Sequence, residues 1–239
     1  MLASTIYTLV SQHRVLPKYR NALVMSSMVT FIAGYHYLRI FDSFGHASKL
    51  VDGTTKMTVD LSGAQGSFNE AYRYVDWLLT VPLLLVEVIA VLALTREVSR
   101  SLIMRLVPAS AAMIALGYPG EIATGADAQN TQVLYGVLST IPFLYILYVL
   151  FVELSKSLDR QPAGVAETVG SLRLLLIATW GVYPIAYIFN IVGDASASSF
   201  VTVQVGYTIA DILAKCVFGL TILKIARMKS MAEGMKDDH

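Results

Sequence analysis

The chain has 239 residues, of which 55% are hydrophobic and only 15% charged, too apolar a mixture for a soluble domain to cover its own surface. A net charge of +1 gives no bias toward nucleic acid, and the single cysteine, Cys216, excludes an internal disulfide. A membrane protein is the first inference.

Residues 1–10 are apolar but reach only about half the length a bilayer demands before Gln12, His13 and Arg14. The positive charge follows the apolar run instead of preceding it, which argues against a signal peptide. The segment reads as the cytoplasmic half of a first helix whose outer half the sequence lacks. Six longer apolar stretches follow, at 19–42, 70–94, 101–124, 130–156, 169–193 and 199–226, each near the ~20 residues of a spanning helix. The one long connection, 42–67, is Gly-rich around the alternating Lys56-Met57-Thr58-Val59-Asp60-Leu61, which predicts a short external hairpin. The chain reads as one domain, 1–239.

Orientation follows from Lys and Arg placement. Arg14, Lys18 and Arg20, then Arg96, Arg100 and Arg105, then Lys156, Arg160 and Arg173, and finally Lys224, Arg227, Lys229 and Lys236 fall on one side. The other side has Arg39, Lys49 and Lys56, and later only the acids Glu121, Asp127 and Asp194. This predicts a cytoplasmic C-terminus and an external N-terminus.

Ionisable groups at the membrane centre cost at least ~2.5–3.5 kcal/mol on insertion scales, so those present usually mark function. Arg73, Asp76 and Glu87 lie in the stretch 70–94, and Asp211 and Lys215 in the last. At ~100° per residue Asp76, Thr80 and Glu87 share one helix face, with Glu87 roughly 16 Å beyond Asp76. That spacing suits two stations of a proton path. Arg73, one turn before Asp76, can compensate its charge, and Asp211 lies one turn from Lys215. Each could instead be a structural ion pair; Lys215 beside a carboxylate suits either substrate binding in a transporter or a Schiff base with its counter-ion.

The stretch Arg73-Tyr74-Val75-Asp76-Trp77-Leu78-Leu79-Thr80-Val81-Pro82, with Glu87 beyond, resembles the pump motif of the microbial rhodopsins, in their proteorhodopsin and xanthorhodopsin branch. Similar to the same branch are Gly117-Tyr118-Pro119-Gly120-Glu121, Trp180-Gly181-Val182-Tyr183-Pro184, and the last helix from Tyr207 through Asp211 to Lys215. The resemblance runs from about Lys18 to the C-terminus. It implies an all-α bundle of seven transmembrane helices in a bacterial plasma membrane that is not an enzyme, holds no metal, moves protons outward in light and assembles as a homo-oligomer. It implies all-trans retinal as a protonated Schiff base on Lys215, Asp76 as proton acceptor and counter-ion, Asp211 as second counter-ion, and Glu87 as cytoplasmic donor. The absence of the Asn/Asp/Gln set argues against a sodium pump, and the presence of Asp76 against a chloride pump.

By the same resemblance Trp77 and Trp180 sandwich the polyene, and Tyr74, Thr80, Leu84, Met113, Gly117, Ser139, Thr140, Tyr183, Pro184 and Tyr187 line the pocket. Leu84 is the colour-tuning position, and its apolar side chain resembles green-absorbing members. Pro184 removes a helix hydrogen bond and is expected to kink the sixth helix. His36 stands where the branch places a histidine hydrogen-bonded to the acceptor. Gly136 stands where carotenoid-binding xanthorhodopsins carry glycine, which implies either a window for a hydroxylated carotenoid or close helix packing. No proton-release group is assigned. The competing readings are a sensory photoreceptor, which Glu87 argues against, and a retinal-free secondary transporter.

Overall fold

The computed structural model describes residues 1–50, 57–60, 62, 67–159, 161–192 and 197–235. Lys56, Leu61, Arg160, Asp194 and Lys236, which carried parts of the hairpin and charge readings, lie outside them. Eight α-helices run in chain order: α1 (Leu2–Val10), α2 (Pro17–Ala47), α3 (Ala71–Leu92), α4 (Arg96–Glu121), α5 (Ala128–Leu158), α6 (Ala163–Val192), α7 (Ala197–Asp211) and α8 (Phe218–Ala232). A π-helical segment, Ile212–Val217, joins α7 to α8, so the described helices form seven rods. The two strands predicted for the long connection are present as β1 (Ser48–Leu50) and β2 (Met57–Val59), antiparallel with Lys49 opposite Thr58.

Each rod packs on the next in sequence, and the last closes the ring against α1, α2 and α3. The short α1 lies along α2 on small and hydroxyl side chains: Thr5 Oγ1 is 2.8 Å from Thr30 Oγ1, Thr8 Oγ1 is 2.8 Å from Ser27 Oγ, and Leu2 crosses Gly34. Small residues let helix backbones approach where lipid supplies no hydrophobic drive between helices. A 3₁₀ turn, Ser11–Arg14, then leads to Pro17 at the first turn of α2, where its missing N–H costs nothing.

Of the six long apolar stretches, four helices (α3, α4, α5 and most of α6) are individually long and apolar enough to cross a bilayer by length and composition. The expectation that all six would read so is corrected for α2 alone; the last rod is divided by the π segment into two helices of 15 residues each, so neither is long enough by itself. The buried face of α2 carries Ser26, Ser27, Thr30 and His36, which dilute its apolar signal because they face the bundle interior, and the last rod buries Gln204, Asp211 and Lys215 in the same way. Outward-facing side chains are inverted from a soluble protein: Phe41, Met104, Ile141, Tyr148 and Leu174 are exposed, the pattern lipid contact requires.

The two ends of the bundle differ. At one, Leu16 N donates to Ser230 Oγ at 2.9 Å, Lys18 pairs with Glu233, and Lys229 Nζ donates to the carbonyls of Val91 and Leu92 at 3.1 and 3.0 Å. Lys229 thereby satisfies carbonyls left open at the C-terminus of α3, where Ala93 takes a left-handed conformation before Thr95 caps α4. Arg14, Lys18, Arg96 and Lys229 thus gather at this basic end. At the other, hairpin end, Ile40, Ala47 and Phe68 form an apolar cluster with Phe44 and Phe200.

Candidate functional site

Between the large apolar core toward the basic end and a smaller aromatic cluster of Tyr74, Trp77, Ile114, Ala186, Val203 and Tyr207 lies a buried charged group. Arg73, Asp76, Asp211 and Lys215 are each at most 1% exposed. Burying four charges is sustainable only if they neutralise one another, and they do. Lys215 Nζ donates to Asp76 Oδ2 at 2.5 Å and lies 3.0 Å from Asp211 Oδ2, while Arg73 Nη1 lies 3.9 Å from the same Asp211 oxygen. The π segment carrying Lys215 widens the helix at the residue that meets both acids, a feature often found at functional sites.

The two carboxylates are held differently. Asp211 accepts from Tyr183 Oη at 2.5 Å and Trp77 Nε1 at 3.2 Å on Oδ1, and from Tyr37 Oη at 2.8 Å on Oδ2. Asp76 accepts from Lys215 on Oδ2, whereas its buried Oδ1 has no hydrogen-bond partner.

Three sequence expectations need correction here. Arg73 compensates Asp211 and not Asp76; its guanidinium also donates to Tyr37 Oη at 3.1 Å and Gln204 Oε1 at 2.7 Å, which draw it toward α2 and α7. His36 is near Asp76, but the direct hydrogen bond is absent: Nδ1 is 4.0 Å from Asp76 Oδ1 and 2.9 Å from the carbonyl of Ile32, one turn back on α2, which takes the imidazole bond. Thr80 does not line the cavity described below, because its hydroxyl turns along its own helix to donate to the Asp76 carbonyl at 2.7 Å.

Glu87, on the same helix, is fully buried, and neither carboxyl oxygen has a partner in hydrogen-bond geometry. Gly219 of α8 and Ser26 of α2 close around it: a Cβ on Gly219 would stand 2.1 Å from Ser26 Oγ and 3.8 Å from Glu87 Oε1.

From Lys215 a cavity of about 470 Å³ extends between α3, α4, α5 and α6, within the roughly 300–1,000 Å³ of small-molecule sites. Tyr74, Trp77, Leu84, Met113, Gly117, Gly136, Ser139, Thr140, Trp180, Tyr183, Pro184 and Tyr187, all expected from sequence, line it together with Asp211 and Lys215. It runs out to the exposed Val137 and Ile141 of α5 and Ile188 of α6. Glycines shape one wall. A Cβ at Gly120 would stand 1.9 Å from Tyr187 Oη and one at Gly136 2.7 Å from Tyr187 Cε1, so Tyr187 occupies the space both leave while donating to the Gln132 carbonyl at 2.9 Å.

Residues 1–228 match the family model described as bacteriorhodopsin-like protein. The chain belongs to this family. It is 30% identical over 232 residues to the green-light absorbing proteorhodopsin of Gamma-proteobacterium EBAC31A08, covering 96% of this chain and 83% of that one. The crystal structure of thermophilic rhodopsin superposes with a TM-score of 0.88 at 44% identity, and that of xanthorhodopsin, described as a light-driven ion pump with dual chromophore, with 0.87 at 46%. Each covers 98% of this chain and 90% of the other.

Rhodopsins bind retinal through a Schiff base, and the residues of this rhodopsin fit that group. A primary amine, buried and flanked by two carboxylates, lies on the wall of a mainly apolar cavity with both tryptophans of the chain on its lining.

Sequence reasoning missed Tyr37, Gln204, Glu70 and Ser26. Tyr37 follows His36 directly, and its place one residue on was the available signal; the others carried none, since a Gln, a Glu at a helix start and a Ser in a span are each commonplace.

Proposed function

We propose that this chain, a single domain, is a light-driven outward proton pump with retinal on Lys215, Asp76 as proton acceptor and Glu87 as donor, lying in the membrane with its basic end cytoplasmic. The observation that carries this reading is the 2.5 Å contact between Lys215 Nζ and Asp76 Oδ2, with Asp211 at 3.0 Å. Retinal, when bound, supplies visible absorption and a light-driven change of shape that disturbs the proton on Lys215 Nζ.

The chain's own residues determine where that proton goes. Asp211 has both oxygens committed to Tyr183, Trp77 and Tyr37 and remains the fixed anion. Asp76, with one oxygen free of donors, takes the proton at Oδ2. Glu87 then returns a proton to Nζ from the basic end, across the apolar core that surrounds Leu84, Leu85 and Val88 and excludes water. A carboxyl without any cationic partner in this dry setting holds a proton more readily than a charge, which is what a donor needs. The Lys and Arg gathered at the basic end support a cytoplasmic position for it.

The test is a pair of variants under flash excitation. Asp76→Asn is expected to abolish transport and shift absorption to the red by removing an anion from Nζ; Glu87→Gln is expected to keep the colour and slow reprotonation of Nζ by about 10²-fold or more. Unchanged reprotonation in Glu87→Gln would remove it as donor.

The reach of the cavity to exposed Val137, Ile141 and Ile188 favours a second chromophore, a hydroxylated carotenoid lying in the gap between α5 and α6 against Gly136. Added lutein or zeaxanthin should then show a structured absorption shift that Gly136→Trp abolishes. No shift in the unaltered protein leaves Gly136 its other role, seating the Tyr187 ring.

A further inference from the structure

We infer that Glu70 is the residue that exchanges protons with the medium at the hairpin end, a proposal that rests on the pumping function above. Glu70 immediately precedes α3, three residues before Arg73. Its Oε1 accepts from Gln204 Nε2 at 2.8 Å, and Gln204 Oε1 in turn accepts from Arg73 Nη2 at 2.7 Å. Arg73 then reaches Tyr37 and the Asp211 carboxylate that faces Lys215. One continuous chain of polar contacts therefore runs from the centre to Glu70.

The other oxygen of Glu70 points to a proton. Oε2 is buried and has no hydrogen-bond partner, and a charged oxygen left without a donor there costs more than the oxygen of a neutral carboxylic acid. The residue as a whole is only half-buried, so solvent comes close to a group whose acidic atom is sheltered. Its charged surroundings are Arg73 on α3, with the phenols of Tyr74 and Tyr207 further off.

The step balances simply. The Oε2–H bond breaks toward a solvent water, the electron pair stays on Oε2, and the proton leaves as hydronium; Gln204 Nε2 and the Arg73 charge behind it stabilise the carboxylate. The proton passed from Lys215 Nζ to Asp76 later refills Oε2, so one proton leaves for each one moved.

The experiment follows proton appearance with a pH dye in the medium after a flash, on retinal-loaded protein, while absorption times the deprotonation of Lys215 Nζ. Glu70→Gln is expected to delay the dye signal by about a hundredfold with the Nζ step unchanged, and to lose a carboxylic C=O band from the light-induced infrared difference spectrum. Glu70→Asp should restore both in part, and Gln204→Leu should delay release with the band still present. A dye signal of unchanged timing in Glu70→Gln overturns the inference; if that variant does not bind retinal, unchanged timing in Gln204→Leu does so. No dye signal from the unaltered protein would overturn the pumping function as well.

Discussion

Gly219→Ala tests the proposed donor role of Glu87 by displacement. The new Cβ would fall 2.1 Å from Ser26 Oγ but an ordinary 3.5 Å from Ser26 Cβ, so α2 and α8 need not separate. The hydroxyl turns about its one side-chain torsion, and the fold is retained. What is lost is the hydroxyl beside Glu87, which is close enough to turn and donate once that carboxyl becomes a carboxylate. A hydroxyl stabilises the carboxylate left when Glu87 gives up its proton, and a single such contact is worth about 0.5–1.5 kcal/mol. At about 1.4 kcal/mol per factor of ten, reprotonation of Lys215 Nζ should slow by roughly 2- to 12-fold, far less than in Glu87→Gln. Flash photolysis reads this as the decay of the species lacking the Nζ proton. Ser26→Ala should slow the step equally, and adding Gly219→Ala to it should change nothing further, since the two act through one group. Additive slowing, or no effect of Gly219→Ala alone, would refute the displacement argument.

Replacing His36 by Ala should shift the pH of the acid-to-alkaline colour change, because its ring lies 4.0 Å from Asp76 Oδ1; an unmoved colour titration would reduce it to packing. Lys229→Met should leave the Val91 and Leu92 carbonyls unsatisfied and cost about 1–3 kcal/mol, read as a lower Tm, with the visible band retained. Hydrogen bonds from Lys18 and then Tyr19 hold the exposed Glu233 carboxyl below its usual range. A depressed carboxylate contributes above its unfolded value of about 4.3 and loses that contribution as pH falls through the folded one. Hydrogen exchange at the end of α8 should therefore rise in acid, and Glu233→Gln should remove that dependence.

Much of this arrangement was legible because helix periodicity and the intramembrane charge rule act locally. The stretch 70–94 became α3 at Ala71–Leu92, and Asp211 and Lys215, one turn apart in sequence, do meet at 3.0 Å. What was not legible depends on contacts between rods. Arg73 sits one turn from Asp76 in sequence, yet its charge goes to Asp211 because Tyr37 and Gln204, on two other helices, hold the guanidinium there. His36 loses its expected hydrogen bond to a carbonyl of its own helix, a competition that spacing alone does not reveal. The π segment at Ile212–Val217 has no sequence signal, since its apolar and small residues would serve an α-helix equally well. The glycines divide in the same way: Gly136 was readable as a small position, but that it and Gly120 together make room for Tyr187 needed the structure.

The central claim is that light moves a proton from Lys215 to Asp76 and so outward. Retinal-loaded protein in vesicles, illuminated while external pH is followed with and without a protonophore, tests it most directly. The account predicts a light-dependent pH change that the protonophore collapses and that Lys215→Ala, lacking the visible band, does not show. A visible band with no pH change in the unaltered protein, or a normal band in Lys215→Ala, would contradict it.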